Sequence, residues 1–215
     1  MPNKPVLLPP KEANEELEIL SKAYGKVGYY LNYSGPLQLM VAAILSAQTR
    51  DSVVNKITPA LFAKYNSAEA FANASEADII KYIKSVSYAG NKAVNIISAC
   101  RELVSKYGGK VPDSMDALVS LPGIGRKTAN TILINAFGKV EGIPVDTWVI
   151  RLSYRMGLSL SKSKNGIEKD LMERIEKKRW RDLAYLLKKH GKEVCGIKPE
   201  CGVCMINAIC PKNGV

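Results

Sequence analysis

A chain of 215 residues, 47% hydrophobic and 24% charged, holds enough apolar material to bury a core as one large domain or two small ones. Its 31 Lys and Arg against 20 Asp and Glu leave a formal charge of +11; the excess draws polyanions and makes nucleic acid the first partner to consider, though general solubility explains a basic balance equally well. The apolar run Leu37 to Ala47 is interrupted by Gln38 and Ser46 and is shorter than a bilayer span, and prolines follow Val6-Leu7-Leu8 where a signal peptide needs its apolar core, so an intracellular protein is expected.

Helical periodicity dominates and no run alternates with a period of two, so the expected class is all-α. Asn14 to Lys22 reads as a first amphipathic helix. After Ser34-Gly35-Pro36, Leu37 to Ser46 is apolar nearly all round, the mark of a helix buried at the centre of a bundle. Further helices are predicted over Ser52 to Tyr65, Ser67 to Ala72, Glu76 to Ser85, Asn91 to Tyr107 and Ser114 to Ser120. Leu121 to Gly125 breaks the pattern, and a new helix runs from Arg126 to Phe137 until Gly138 supplies a stop. Asp146 is placed to cap the next helix, Thr147 to Arg155, and Asn165 to Lys178 and Arg181 to His190 complete the set.

The segment from Leu121 to Asn130, LPGIGRKTAN, has the form of a hairpin between two helices. Pro122 ends the incoming helix, Gly123 and Gly125 permit a tight turn close to a ligand, and Gly125 opens a helix whose positive dipole end suits a phosphate. Such a loop grips a nucleic-acid backbone without reading sequence, and Arg126 and Lys127 directly after it favour that use. The bland alternative is a glycine-rich connection with no ligand.

Five cysteines, four of them between Cys195 and Cys210, argue for metal rather than disulfides in a reducing compartment. Cys195, Cys201, Cys204 and Cys210 form a C-x5-C-x2-C-x5-C array that suits a [4Fe-4S] cluster or a tetrahedral zinc, and the ligand set does not choose between them. Cys100 lies on a helix with Ile96 and Ile97 and reads as a buried thiol. The single histidine, His190, reads as a helix-end residue rather than a catalyst.

The hairpin, Val145-Asp146-Thr147 after it and the cysteine tail together resemble the endonuclease III family, and the likeness extends through Leu45 to Asp51, LSAQTRD, and Tyr88 to Ala93, YAGNKA. The resemblance implies a helix-hairpin-helix glycosylase fold: a six-helix domain over 27–139 and a cluster domain built from 1–26 and 140–215, with the reaction in the groove between them. It implies a bifunctional enzyme acting as a monomer on double-stranded DNA that carries damaged bases or abasic sites, removing oxidised pyrimidines and cleaving the abasic site by β-elimination.

In the roles the resemblance implies, Lys127 attacks the anomeric carbon of a flipped nucleotide, and Asp146 assists it and stabilises the cationic sugar. A lysine can form the Schiff base that drives elimination, which a water nucleophile cannot. Gln48 would enter the gap left by the flipped nucleotide, Tyr88 would act as a wedge in the stack, and Asp51 would be a further carboxylate, although each could equally serve at a helix end. Lys198 would contact phosphates, and the resemblance favours [4Fe-4S] over zinc.

Two departures mark this sequence. The family's first cysteine spacing is usually six residues and here it is five; the family commonly has His after Val-Asp-Thr and here stands Trp148, which has no acceptor to offer. Monofunctional mismatch glycosylases of the adenine- or thymine-removing type share the hairpin and the cluster but generally lack the lysine. A non-catalytic DNA-binding module is the remaining alternative.

Overall fold

The computed structural model describes residues 4–215, which contain helices and no strand. They divide into two compact units, 30–141 and a second made of 4–29 with 142–215.

In the unit 30–141, α2 (Pro36–Leu45) is the centre. Every residue from Leu39 to Leu45 is at most 3% exposed, as its all-round apolar sequence requires. Around it pack α3 (Asp51–Lys64), α6 (Ala89–Tyr107) and α8 (Arg126–Phe137), while the short α4 (Ala68–Ala72) and α5 (Glu76–Ile83) lie against α6 and α7 (Met115–Val119) against α8. Ser67 and Ser75 start α4 and α5, each hydroxyl accepting from an amide three residues on. Gly138 ends α8 in the left-handed region at φ +69°, its amide donating to the Leu133 carbonyl, which is the stop the sequence predicts. Cys100 is fully buried on α6 and burial pushes its thiol up to about 12, as suits an inert core residue.

The second unit draws on both ends of the chain. α1 (Pro10–Tyr24) packs on α11 (Trp180–Glu193), which also lies against α9 (Thr147–Arg155), and α10 (Lys164–Arg174) lies against α9. Leu17, Leu20, Val149, Leu152, Leu171 and Leu187 form the middle of its core. The chain ends are tied together: Asn213 Nδ2 donates to the Val6 carbonyl, the Val6 amide donates back to Asn213 Oδ1, both at 2.8 Å, and the Leu8 amide donates to the Gly157 carbonyl.

Two helices differ from their sequence expectation by a full turn at one end. α1 begins four residues early, because Pro10 suits the first helical position, where its fixed φ is already right and its missing N–H is not needed. α10 stops at Arg174, not Lys178. Ile175 turns extended and buries its side chain, and Asn14 of α1 accepts from the Glu176 amide (3.1 Å) while donating to the Arg174 carbonyl (3.0 Å). A cap supplied from 160 residues away leaves no local signal.

Candidate active site

The hairpin forms as the sequence expects. α7 ends at Val119, Leu121 and Ile124 turn inward at 2% and 5% exposure, and the Ile124 amide donates back to the Leu121 carbonyl. Gly123 sits at φ +79° against Asn95 of α6, where an added Cβ would lie 2.9 Å from the Asn95 Cβ, so backbone conformation and close approach both call for glycine. Gly125 is exposed, extended and without a side chain to cap α8, and Arg126 and Lys127 are the first two residues of that helix. Arg126 is exposed and Lys127 half-buried, with its carbonyl accepting from the Thr131 hydroxyl at 3.0 Å.

Asp146, in the other unit, caps α9. Its Oδ1 accepts from the amides of Trp148 and Val149, both at 2.9 Å, so the predicted cap is present and fixes the carboxylate's direction. Trp148 is half-buried, its ring stacked beneath the Arg151 guanidinium at 5.2 Å and pressed on Gly191 of α11. Asp51 is the first residue of α3, the helix-start position that its alternative reading expected.

Gln48 and Tyr88 occupy neighbouring exposed loops. Both are in the left-handed region, at φ +54° and +58°, which is rare for residues with a Cβ and concentrates at functional sites. Ser87 links the loops, its hydroxyl donating to the Gln48 carbonyl (2.9 Å) and its amide to Thr49 Oγ1 (3.2 Å). Lys92 lies beneath at 5% exposure, donating to the carbonyls of Leu45 (2.7 Å) and Ala47 (2.6 Å) and to Thr49 Oγ1 (3.0 Å). Burial pushes its ammonium down to about 8, while three oxygens hold its protons. Sequence reasoning missed Ser87 and Lys92. A signal for Lys92 exists: it precedes Ile96, Ala99 and Leu103 at helical spacing, a lysine in a core stripe.

In the tail, Cys195, Cys201, Cys204 and Cys210 line one small, mainly apolar cavity together with Arg155, Met156 and His190. None of the four is in a disulfide, and among the described residues no three Cys, His, Asp or Glu side chains converge as a single metal ion requires. Burial favours the neutral thiol at Cys204 and pushes Cys210 up to about 12, so a thiolate at either place needs a cation beside it. Lys198 is exposed in the loop between Cys195 and Cys201, and Arg155 gathers that loop by donating to the carbonyls of Cys195 (3.2 Å), Gly196 and Ile197 (3.1 Å).

His190 is buried in the last turn of α11, as its helix-end reading expects, with Nδ1 2.9 Å from the Tyr24 hydroxyl and Nε2 3.7 Å from Cys204 Sγ. Burial pushes it down to about 4, so it is neutral. Neither the role of Arg155 nor that of His190 beside the cavity has a local sequence signal. No helix among the described residues is long and apolar enough to cross a membrane.

Residues 41–177 match the profile of the HhH-GPD superfamily of base excision DNA repair proteins. The chain is 45% identical over 202 residues to endonuclease III of Synechocystis sp., covering 94% of this chain and 92% of that protein. It is 38% identical over 181 residues to endonuclease III of Escherichia coli K12, covering 84% and 85%. The structure of a trapped endonuclease III–DNA covalent intermediate is similar at a TM-score of 0.91 and 34% identity, over 96% of this chain and 98% of that one. A thermostable thymine-DNA glycosylase, with a TM-score of 0.82 at 23% identity over 94% and 97%, shares the fold. By sequence, profile and all-helical structure together, this chain belongs to the endonuclease III family of DNA glycosylases with abasic-site lyase activity, within the HhH-GPD superfamily of base excision repair proteins.

Proposed function

We propose that this chain excises oxidised pyrimidines from double-stranded DNA and cleaves the resulting abasic site, with Lys127 as nucleophile and Asp146 as its supporting carboxylate. The observation that carries the reading is Lys127 itself, half-buried in the first turn of α8 directly after a hairpin whose glycines suit a phosphate backbone. The flipped nucleotide exposes C1′. The neutral amine of Lys127 bonds to C1′ as the C1′–N bond to the base breaks, and the base leaves with the electron pair and takes up a proton. The sugar ring then opens to an iminium between Lys127 and C1′. Loss of a C2′ proton pushes electrons toward that iminium and breaks the bond from C3′ to its phosphate; water then hydrolyses the imine and frees the lysine. The Asp146 carboxylate stabilises the positive charge that develops on the sugar as the base leaves. Its two amide bonds hold it in one direction for that purpose.

Gly123, Gly125, Arg126 and Lys198 are proposed to hold phosphates, the first two through backbone and the others through charge. Gln48 fills the gap left by the flipped nucleotide and Tyr88 wedges into the stack beside it. The four tail cysteines are proposed to hold a [4Fe-4S] cluster. Membership of the endonuclease III family supports this over zinc, and the four cysteines line one cavity. When bound, such a cluster ties the turns of the tail together and can exchange an electron. An intracellular location accords with five unpaired cysteines.

The test is incubation of the protein with duplex DNA containing an abasic site in the presence of borohydride, which reduces the iminium to a stable amine. A covalent protein–DNA adduct is expected from the wild type and none from Lys127→Gln. Absence of the wild-type adduct, with base release intact, would identify a monofunctional enzyme instead. Release of no base from any lesion would leave a binding module.

A further inference from the structure

Lys92 is a cation at a core position, and its three bonds all serve one purpose. The Leu45 carbonyl is among the last of α2 and lacks an intrahelical partner, and the Ala47 carbonyl and Thr49 hydroxyl lie beyond the helix end. Three donors on an ammonium meet three acceptors, so the group is fully satisfied. The residues held, Ala47 and Thr49, flank Gln48 on both sides. The Gln48 carbonyl is held from Ser87, the neighbour of Tyr88, and Thr49 Oγ1 is shared between Lys92 and the Ser87 amide. Lys92 also bonds through its own amide to the Tyr88 carbonyl, because Tyr88 opens the helix that carries it. Two exposed residues in disfavoured left-handed conformations are therefore joined through Ser87 and one buried residue, whose side chain holds the Gln48 loop and whose amide holds Tyr88.

We propose that Lys92 is a positioning residue that locks the loop 46–50 to the turn before α6, so that Gln48 and Tyr88 are presented together, already in shape, to the duplex. This rests on the reading of those two residues as DNA-inserting. Preorganisation is valuable there because both must enter the stack at once as the nucleotide leaves, and a loop that had first to order itself would lose that advantage. Neither a structural nor a catalytic role for Lys92 requires that its effect pass through Gln48 and Tyr88, whereas a positioning role does.

The experiment is a double-mutant cycle between Lys92→Met and the pair Gln48→Ala/Tyr88→Ala, using duplex DNA with thymine glycol and a 2-aminopurine next to it. Single-turnover base release is measured at saturating and subsaturating enzyme, with the fluorescence rise of the unstacked 2-aminopurine in the same reaction. Lys92→Met is expected to slow base release by about 10- to 100-fold, the scale of a misplaced contact remote from the chemistry, and to reduce the fluorescence rise at saturation. In the Gln48→Ala/Tyr88→Ala background the same substitution is expected to change the rate by no more than about twofold, the ordinary error of additivity. Equal factors in both backgrounds would overturn the proposal. If Gln48→Ala/Tyr88→Ala has no effect on rate or fluorescence, the inserting role of those residues fails first, and the proposal with it. Ser87→Ala, an exposed change that spares the core, should lower the fluorescence rise in the same direction, and supplies the measurement if Lys92→Met does not fold; no change there would count against the proposal.

Discussion

Gly191→Ala probes how Trp148 is seated next to Asp146, the proposed supporting carboxylate. Gly191 is buried in the last turn of α11, and a Cβ added there would lie 2.4 Å from Trp148 Cε3, 2.8 Å from Cζ3 and 3.2 Å from Leu152 Cδ1. Carbon atoms rest about 3.5–4.0 Å apart, so the rigid indole must withdraw by about 1 Å or the helices must separate. Overpacking of this kind costs about 1–3 kcal/mol, and replacing a helical glycine by alanine returns up to about 1 kcal/mol, less in a final turn. A net loss of about 1–2 kcal/mol follows, and at about 2–4 °C per kcal/mol for a chain of this size the midpoint should fall by about 2–8 °C. Thermal unfolding followed by far-ultraviolet circular dichroism measures it. In a Trp148→His background the smaller ring leaves room for the methyl, and Gly191→Ala should then be neutral or slightly stabilising. Unchanged stability in the wild-type background, or the same loss in both, would refute the steric argument. The Trp148 amide is one of the two that hold Asp146, so base release should weaken together with the midpoint.

Three further outcomes are expected. Asp146→Ala removes the cap of α9 and should cost about 1 kcal/mol in denaturant unfolding, while Asp146→Asn keeps an acceptor and should stay near wild-type stability yet still lose base release, separating cap from chemistry. Gly123→Ala combines an unfavourable φ with a contact on Asn95, and should weaken binding to undamaged duplex at every salt concentration without changing the slope of affinity against salt, because no cation is removed. For Lys92, burial lowers the folded pKa to about 8 from an ordinary 10.5, so between those values the unfolded chain binds more protons than the folded one and stability rises with pH. Urea unfolding at pH 7.5 and 10 should show that rise in the wild type and a smaller one in Lys92→Met; equal slopes would mean Lys92 keeps its proton throughout.

The features legible in the sequence were those whose physics is local. An all-round apolar stretch can only be a central helix, and Leu39 to Leu45 are buried as that demands. Gly138 and Asp146 announce a helix end and a helix start because the atoms they satisfy lie within a few residues. The hairpin from Leu121 to Lys127 is legible for the same reason, a turn of a handful of residues whose geometry only certain residue types permit.

What the tertiary structure alone decided are the bonds between residues remote in sequence. Asn14 ends α10, Tyr24 orients His190 against Cys204, Arg155 gathers the loop that follows Cys195, and Lys92 joins two loops some 40 residues apart. Each is a polar side chain that burial compels to find a partner, and the sequence names the side chain but not the partner. The helix starts that carry Lys127 and Asp146 could thus be read from the chain, whereas the seat of Trp148 on Gly191 and the shape of the loops carrying Gln48 and Tyr88 depend on packing that only the folded protein supplies.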